Sequence, residues 1–242
     1  MKGRLAAYSG WQLRDFVFER AAAIVVVLAF WIWMNYESTG IARTSVFVTG
    51  GTHALEFGAS ILAQTVSLSW IICALIAVHG ISANDRTTGR FRLVFAKPVS
   101  VVRYYAQAFA TNFLAYLLCI GLALAVFTRL FPVSQSSLAG ASLIFADAYL
   151  LVGGVCFLFS AIWRFDWLST GVVLGVVAWL ASGHPGAWWL APLPPFGTIF
   201  EQVTVLGKMR PLEVRPLLWA AAYGVACFLL GLIVLQRRPL AT

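Results

Sequence analysis

Charge is what this chain has least of. Of its 242 residues, 11% are Asp, Glu, Lys or Arg, and only 9 are acidic. A soluble domain carries about 25% charge. With 61% hydrophobic residues and a mean hydropathy of +0.86, too few polar side chains remain to cover a globule of this size. Soluble, disordered and nucleic-acid-binding classes are excluded on that ground, in spite of a net charge of +8. Cysteine is scarce too: Cys73, Cys119, Cys156 and Cys227 lie singly inside apolar runs, without metal-type spacing. They read as small hydrophobes. A P-loop is absent, since the only Gly-Lys step, Gly207-Lys208, is followed by Met209. An intramembrane serine nucleophile lacks its Gly-x-Ser-Gly, because Gly140-Ala141-Ser142 runs on to Leu143. His53 and Glu56 have no third partner nearby in the chain, and they read as hydrated interface residues. No catalytic site, bound metal or cofactor of the chain's own is expected, and no repeat or low-complexity tract is present.

What is there is a series of long apolar runs. Six spans are read at 21–36, 54–81, 104–128, 138–163, 167–182 and 215–236. The second, as a helix, would reach roughly 42 Å at 1.5 Å per residue. That exceeds a hydrocarbon core of roughly 30 Å, so it should tilt or project near His79. An even number of spans puts both termini on one side. Twelve of the 17 Lys and Arg then face the cytoplasm, and Arg43, Arg129, Lys208, Arg210 and Arg215 face out. That bias places both termini in the cytoplasm of a multi-pass inner-membrane protein.

Residues 1–20 alternate Leu5, Tyr8, Trp11, Phe16 and Phe18 with Lys2, Arg4, Arg14, Asp15, Glu19 and Arg20. This pattern fits an amphipathic helix lying among anionic headgroups rather than a signal peptide. It serves either as an anchor or in conveying motion. Residues 183–214, rich in Pro and aromatics, are too broken to span yet too apolar for an open loop. They read as an outer re-entrant element sheltered by protein. The fold class is therefore all-α: six transmembrane helices over 21–242, an N-terminal interfacial helix, and a re-entrant element before the last helix.

The densest charge lies between the second and third spans, in ISANDRTTGRFRLVFAKPVSVVRYYAQ. Gly89 and Pro98 punctuate a short amphipathic element there, and Ser100 is placed to cap the next helix. A basic face beside Phe91, Leu93, Val94 and Phe95 suits docking onto another protein, or attraction to anionic lipid. Asp85-Arg86, Gly89, Arg92, Lys97-Pro98-Val99-Ser100 and Tyr104-Tyr105 resemble the cytoplasmic loop of type-2 ABC exporter permeases. The six-span plan, Leu193-Pro194-Pro195-Phe196 and the closing Gln236-Arg237-Arg238-Pro239-Leu240 are similar to that family as well. The chain departs from it in having Asn84-Asp85 where many members carry a Glu pair. The resemblance implies that segment 82–103 is a coupling loop, with Asp85, Arg86, Gly89, Arg90, Arg92 and Lys97 contacting a separate ATPase subunit. ATP and Mg would be bound by that partner. Two permease chains, identical or related, would pair with two ATPases and move substrate by alternating access or lateral extrusion. The alternative is a non-transporting membrane anchor or regulatory subunit of an ATPase-containing complex.

Polar residues inside the spans carry the remaining questions. Asp147 sits in the fourth span, where an ionised side chain costs roughly 2.5–3.5 kcal/mol on insertion scales. It is either a point on the substrate path or a hydrogen-bonded or protonated acid at a helix contact. Asn112, Gln64 and Asn35 pose the same question more weakly, since single amides join helices. Gly171 with Gly175, and Ala220 with Gly224, have the spacing for close helix packing, within the chain or, for the first pair, between chains.

Overall fold

The structure is a computed structural model that describes residues 2–39, 51–81, 100–162, 166–183 and 193–237. Regular structure among the described residues is entirely helical. In order come α1 (Lys2–Phe16), a π-helical segment (Val17–Ala21), α2 (Ala22–Ser38), α3 (Thr52–Val78) and α4 (Val101–Leu130). They are followed by α5 (Gln135–Ile162), α6 (Asp166–Gly183), α7 (Phe196–Gly207) and α8 (Val214–Arg237). An apolar chain in lipid must satisfy its backbone groups within itself, and helices do so. Five helices are long and apolar enough to cross a membrane: Ser9–Ser38, α3, α4, α5 and α8. The chain is a multi-pass membrane protein. α6 has 18 residues, and its apolar stretch, Leu168–Leu180, is shorter than these.

Each span read from the sequence corresponds to a helix whose ends fall within three residues of the expected ones. α3 closes at Val78 rather than at 81 because His79 (φ −48°, ψ 132°) leaves the helix and, with Gly80 at φ 76°, forms a type II turn closed by the Ile81 N–H on the Val78 carbonyl at 3.3 Å. Ser100 does stand at the N-cap of α4, but its hydroxyl makes no capping bond there. Its carbonyl instead accepts from the Tyr104 N–H at 3.1 Å. The cap that does form precedes α5, where Ser134 Oγ accepts from the Ser137 N–H at 3.1 Å. The helix expected over 1–20 is present as α1. It passes into α2 through the π segment without losing helical backbone, since Phe16 (φ −60°, ψ −48°) and Ala22 (φ −60°, ψ −44°) are both right-handed helical.

α5 is the hub, packed against α3, α4, α6, α7 and α8. Small residues let it approach so closely. A Cβ on Gly154 would collide with the Gly224 carbonyl, and one on Gly224 with the Leu150 carbonyl. The small-residue spacing of Ala220 and Gly224 is thus used within the chain, to close α8 on α5. A Cβ on Gly171 or Gly175 would meet nothing within 4 Å among the described residues. Gly58 of α3 packs against the Pro132 carbonyl in the turn between α4 and α5. Around this frame, Trp70, Tyr105, Tyr116, Tyr149, Phe145 and Phe157 are fully buried.

Gly224→Ala should therefore lower the midpoint of thermal unfolding, as overpacking costs about 1–3 kcal/mol. Gly121→Ala, on α4 with nothing within 4 Å of its added Cβ, should hold or raise that midpoint. Unfolding of the purified chain in detergent checks both, and equal midpoints would contradict the α5–α8 contact.

Candidate functional site

The polar residues singled out in the spans lie in three different surroundings. Asp147 is on α5, seven residues after Gly140 and seven before Gly154, which puts all three on one face. That face abuts α7, where a Cβ on Gly140 would lie 3.1 Å from Leu206, and α8, through Gly224. Asp147 is 4% exposed, and neither carboxylate oxygen has a hydrogen-bond partner among the described residues. Asn112 is buried on α4 and lines a small cavity against α1. Gln64 is exposed on α3. These three residues do not form one common site within the chain.

Asn35 answers its question differently. Its Nδ2 donates to Thr65 Oγ1 at 3.0 Å and to the Trp31 carbonyl at 2.9 Å. Thr65 Oγ1 donates in turn to the Ile61 carbonyl at 2.9 Å, and Ser69 Oγ to the Thr65 carbonyl at 2.6 Å. The amide joins α2 to α3, and all of its neighbours in this network are satisfied.

Two further buried polar contacts have no counterpart in the sequence reading. Gln202, 2% exposed on α7, accepts from the Glu213 N–H at 2.9 Å and ties the 208–213 segment back onto α7. Tyr149 of α5 donates from its hydroxyl to the Phe109 carbonyl of α4 at 2.9 Å. It does so inside an aromatic cluster. Phe109 stacks on Phe228 at 4.3 Å, Phe157 meets Phe228 at 4.7 Å, and Phe113 meets Tyr149 at 5.1 Å. Tyr105, Phe109 and Phe113 recur every four residues along α4, and that spacing was the signal available in the sequence. The cluster joins α4, α5 and α8 and fills the core.

His53 and Glu56 form an exposed pair at 3.6 Å, with side chains 80% and 65% accessible. An exposed pair of this kind contributes little to stability. No group of three or more metal-ligating side chains occurs among the described residues. Asp85, Arg86, Gly89, Arg90, Arg92 and Lys97 of segment 82–103 lie outside the described residues, apart from which Ser100 and Arg103 flank the start of α4.

The contrast between Asp147 and Asn35 gives a direct test. Asp147→Asn should leave thermal stability unchanged or raise it, since no partner is lost. Asn35→Leu should lower stability by about 0.6 kcal/mol, the average for such bonds between membrane helices. Unfolding in detergent measures both, and the reverse order would overturn the assignment. Comparison with known proteins finds no matching family, no matching characterised protein and no matching solved structure.

Proposed function

We propose that this chain is the membrane-spanning permease subunit of an ATP-driven ABC transporter, an exporter, which moves substrate when partner ATPase subunits bind and hydrolyse ATP. The observation that carries the proposal is segment 82–103. It holds five of the 17 basic residues of the chain, together with Asp85, Gly89 and the Lys97-Pro98-Val99-Ser100 step. It sits between two helices long enough to cross a membrane, α3 and α4. A plain connector needs neither that charge density nor an apolar face. Asp85, Arg86, Gly89, Arg90, Arg92 and Lys97 dock the ATPase, and closure of the ATPases on ATP moves the helices that this segment joins. Nucleotide and Mg belong to the partner, as the chain has no P-loop.

In this reading α6 is a sixth crossing, about 27 Å long as a helix. Both termini face the cytoplasm, and α1 lies at the inner surface. Residues 183–214 are an outer re-entrant element, supported by the path of α7. Phe200 meets Trp70, well inside α3, at 5.3 Å, while the Gly207 end reaches Ala63, nearer the start of α3. α7 therefore begins beside the interior of α3 and rises towards one end of it. A second permease chain, the same or related, completes the pathway. Gly171 and Gly175, where an added Cβ meets nothing within 4 Å among the described residues, suit that contact. Asp147, Asn112 and Gln64 are the polar points offered to the substrate path.

Asp85→Ala and Arg92→Ala should insert normally, co-isolate less ATPase, and separate ATP hydrolysis from transport. ATPase pull-down and vesicle flux measure this. Unchanged coupling in both variants sinks the contact role, and stable ATPase binding without any flux points instead to an anchoring subunit.

A further inference from the structure

α2 and α4 meet at their C-terminal ends, where Tyr36 contacts Phe131, the residue after α4, at 6.3 Å. Below that contact they part around an apolar groove of about 480 Å³. It runs from Val25 to Tyr36 along α2 and from Cys119 to Leu130 along α4. At 1.5 Å per residue it is about 16 Å long. That is about half of a hydrocarbon core of roughly 30 Å, the depth of one leaflet. Spread over that length, the volume gives a mean width of about 6 Å. A helix with its side chains is about 10–12 Å across, too wide to enter. A single hydrocarbon chain, whose carbons sit at about 4 Å from their neighbours, fits.

Val25, Leu122 and Val126 of its walls are exposed, so the groove opens outward along the bundle. Leu28, Ile32 and Ala123 also border a void of about 10 Å³ beside Thr65. Thr65 asks nothing of the groove, since its Oγ1 already bonds Asn35 and the Ile61 carbonyl. Between Val25 and Ile32 the groove offers dispersion contacts and, from Cys119, one weak thiol. Charge enters only at the end near Ser38 and Leu130. Arg129 stands seven residues after the lining residue Leu122, which places it on the same face of α4, just beyond Val126. It is exposed and makes no ion pair among the described residues. Glu37 follows Tyr36 by one position and lies about 100° round α2 from it. A guanidinium thus ends an apolar groove of leaflet depth, beside Trp33 and Tyr36, residue types that sit at headgroup level. A phosphate accepts two parallel N–H bonds from such a group, and a phospholipid carries its phosphate at the end of its acyl chains.

We propose that this groove binds one phospholipid, with an acyl chain laid between α2 and α4 and the phosphate on Arg129. The test uses the full chain in nanodiscs doped with a phosphatidylglycerol that carries a diazirine midway along one acyl chain. Illumination and peptide mass spectrometry then map where that chain lies. The exposed face of α8 at Leu218, Leu229 and Leu230 serves as the control, since it presents apolar side chains without this groove. Labelling of 25–36 and 119–130 should exceed labelling of that face about tenfold, the equivalent of one charge-assisted hydrogen bond. Ala29→Trp, at an exposed lining position, fills the groove and should abolish the excess. Arg129→Gln should remove most of it, and keeps the test valid where Ala29→Trp fails to fold. A long-chain alcohol bearing the same diazirine, which has no phosphate, should show no excess. Equal labelling of groove and α8 would mean unspecific lipid alone and would overturn the proposal. An excess that survives Arg129→Gln, or that the alcohol shares, would assign the groove to an apolar occupant without phosphate and overturn it as well. So would an unlabelled groove in a chain that Ala29→Trp converts from dimer to monomer, which would assign it to a second copy. The measurement needs neither ATPase nor flux, so its failure leaves the permease proposal standing.

Discussion

The backbone contact between α5 and α8 is the constraint on which the rest of the arrangement depends. Gly154 and Gly224 leave no room for a side chain between the two helices. In lipid the hydrophobic effect does not drive helices together, so close packing of this kind supplies much of the cohesion. With α8 held against α5, Phe228 is brought onto Phe109 and Phe157, and α4 is gathered into the same cluster. α3 completes the core from the side of Gly153, whose Cβ would lie 2.8 Å from Val78. A side chain added at either glycine of the α5–α8 pair would therefore shift α4 as well as α8, through the shared aromatics.

The parts of this fold that were legible in the sequence are those governed by transfer energy. Apolar runs of span length gave helices in the expected places, because a helix is the only open-chain solution for a backbone in hydrocarbon. The glycine pairing was half legible. The spacing at Ala220 and Gly224 identified a contact face, but nothing in the sequence named Gly154 as the other side. Asn35 was read as a candidate for joining helices, and its partner, Thr65, lies thirty residues away on the next helix. Such pairings depend on the rotation of each helix, which one-dimensional periodicity leaves open. The Ser100 hydroxyl failed as a cap for a related reason: a short polar side chain before a helix has several local choices, and the position alone does not select one.

A difference in how polar groups are satisfied separates the structural residues from the candidate functional ones. Asn35, Gln202 and Tyr149 each reach a protein partner on another element, and each thereby fixes a contact. Asp147 does not, although it is as deeply buried as they are. Gln12 does not either among the described residues, and it lines one cavity together with Asn112. Leaving a buried polar group unmade costs about 1–3 kcal/mol. Among the described residues no helix contact offsets that cost for Asp147 or Gln12.

Asp147 and the cavity lined by Gln12 and Asn112 lie against different helices. Asp147 faces α7 and α8, and the Asn112 cavity faces the N-terminal helix. One contact of the α4–α5 packing lies between them. The Tyr149 hydroxyl on the Phe109 carbonyl crosses that packing. Phe109 is three residues from Asn112 on α4, and Tyr149 is two from Asp147 on α5. A change in how α4 sits against α1 would then be felt at the turn of α5 that carries the carboxylate. Segment 82–103 ends in the first turn of α4, the helix that also borders the Asn112 cavity.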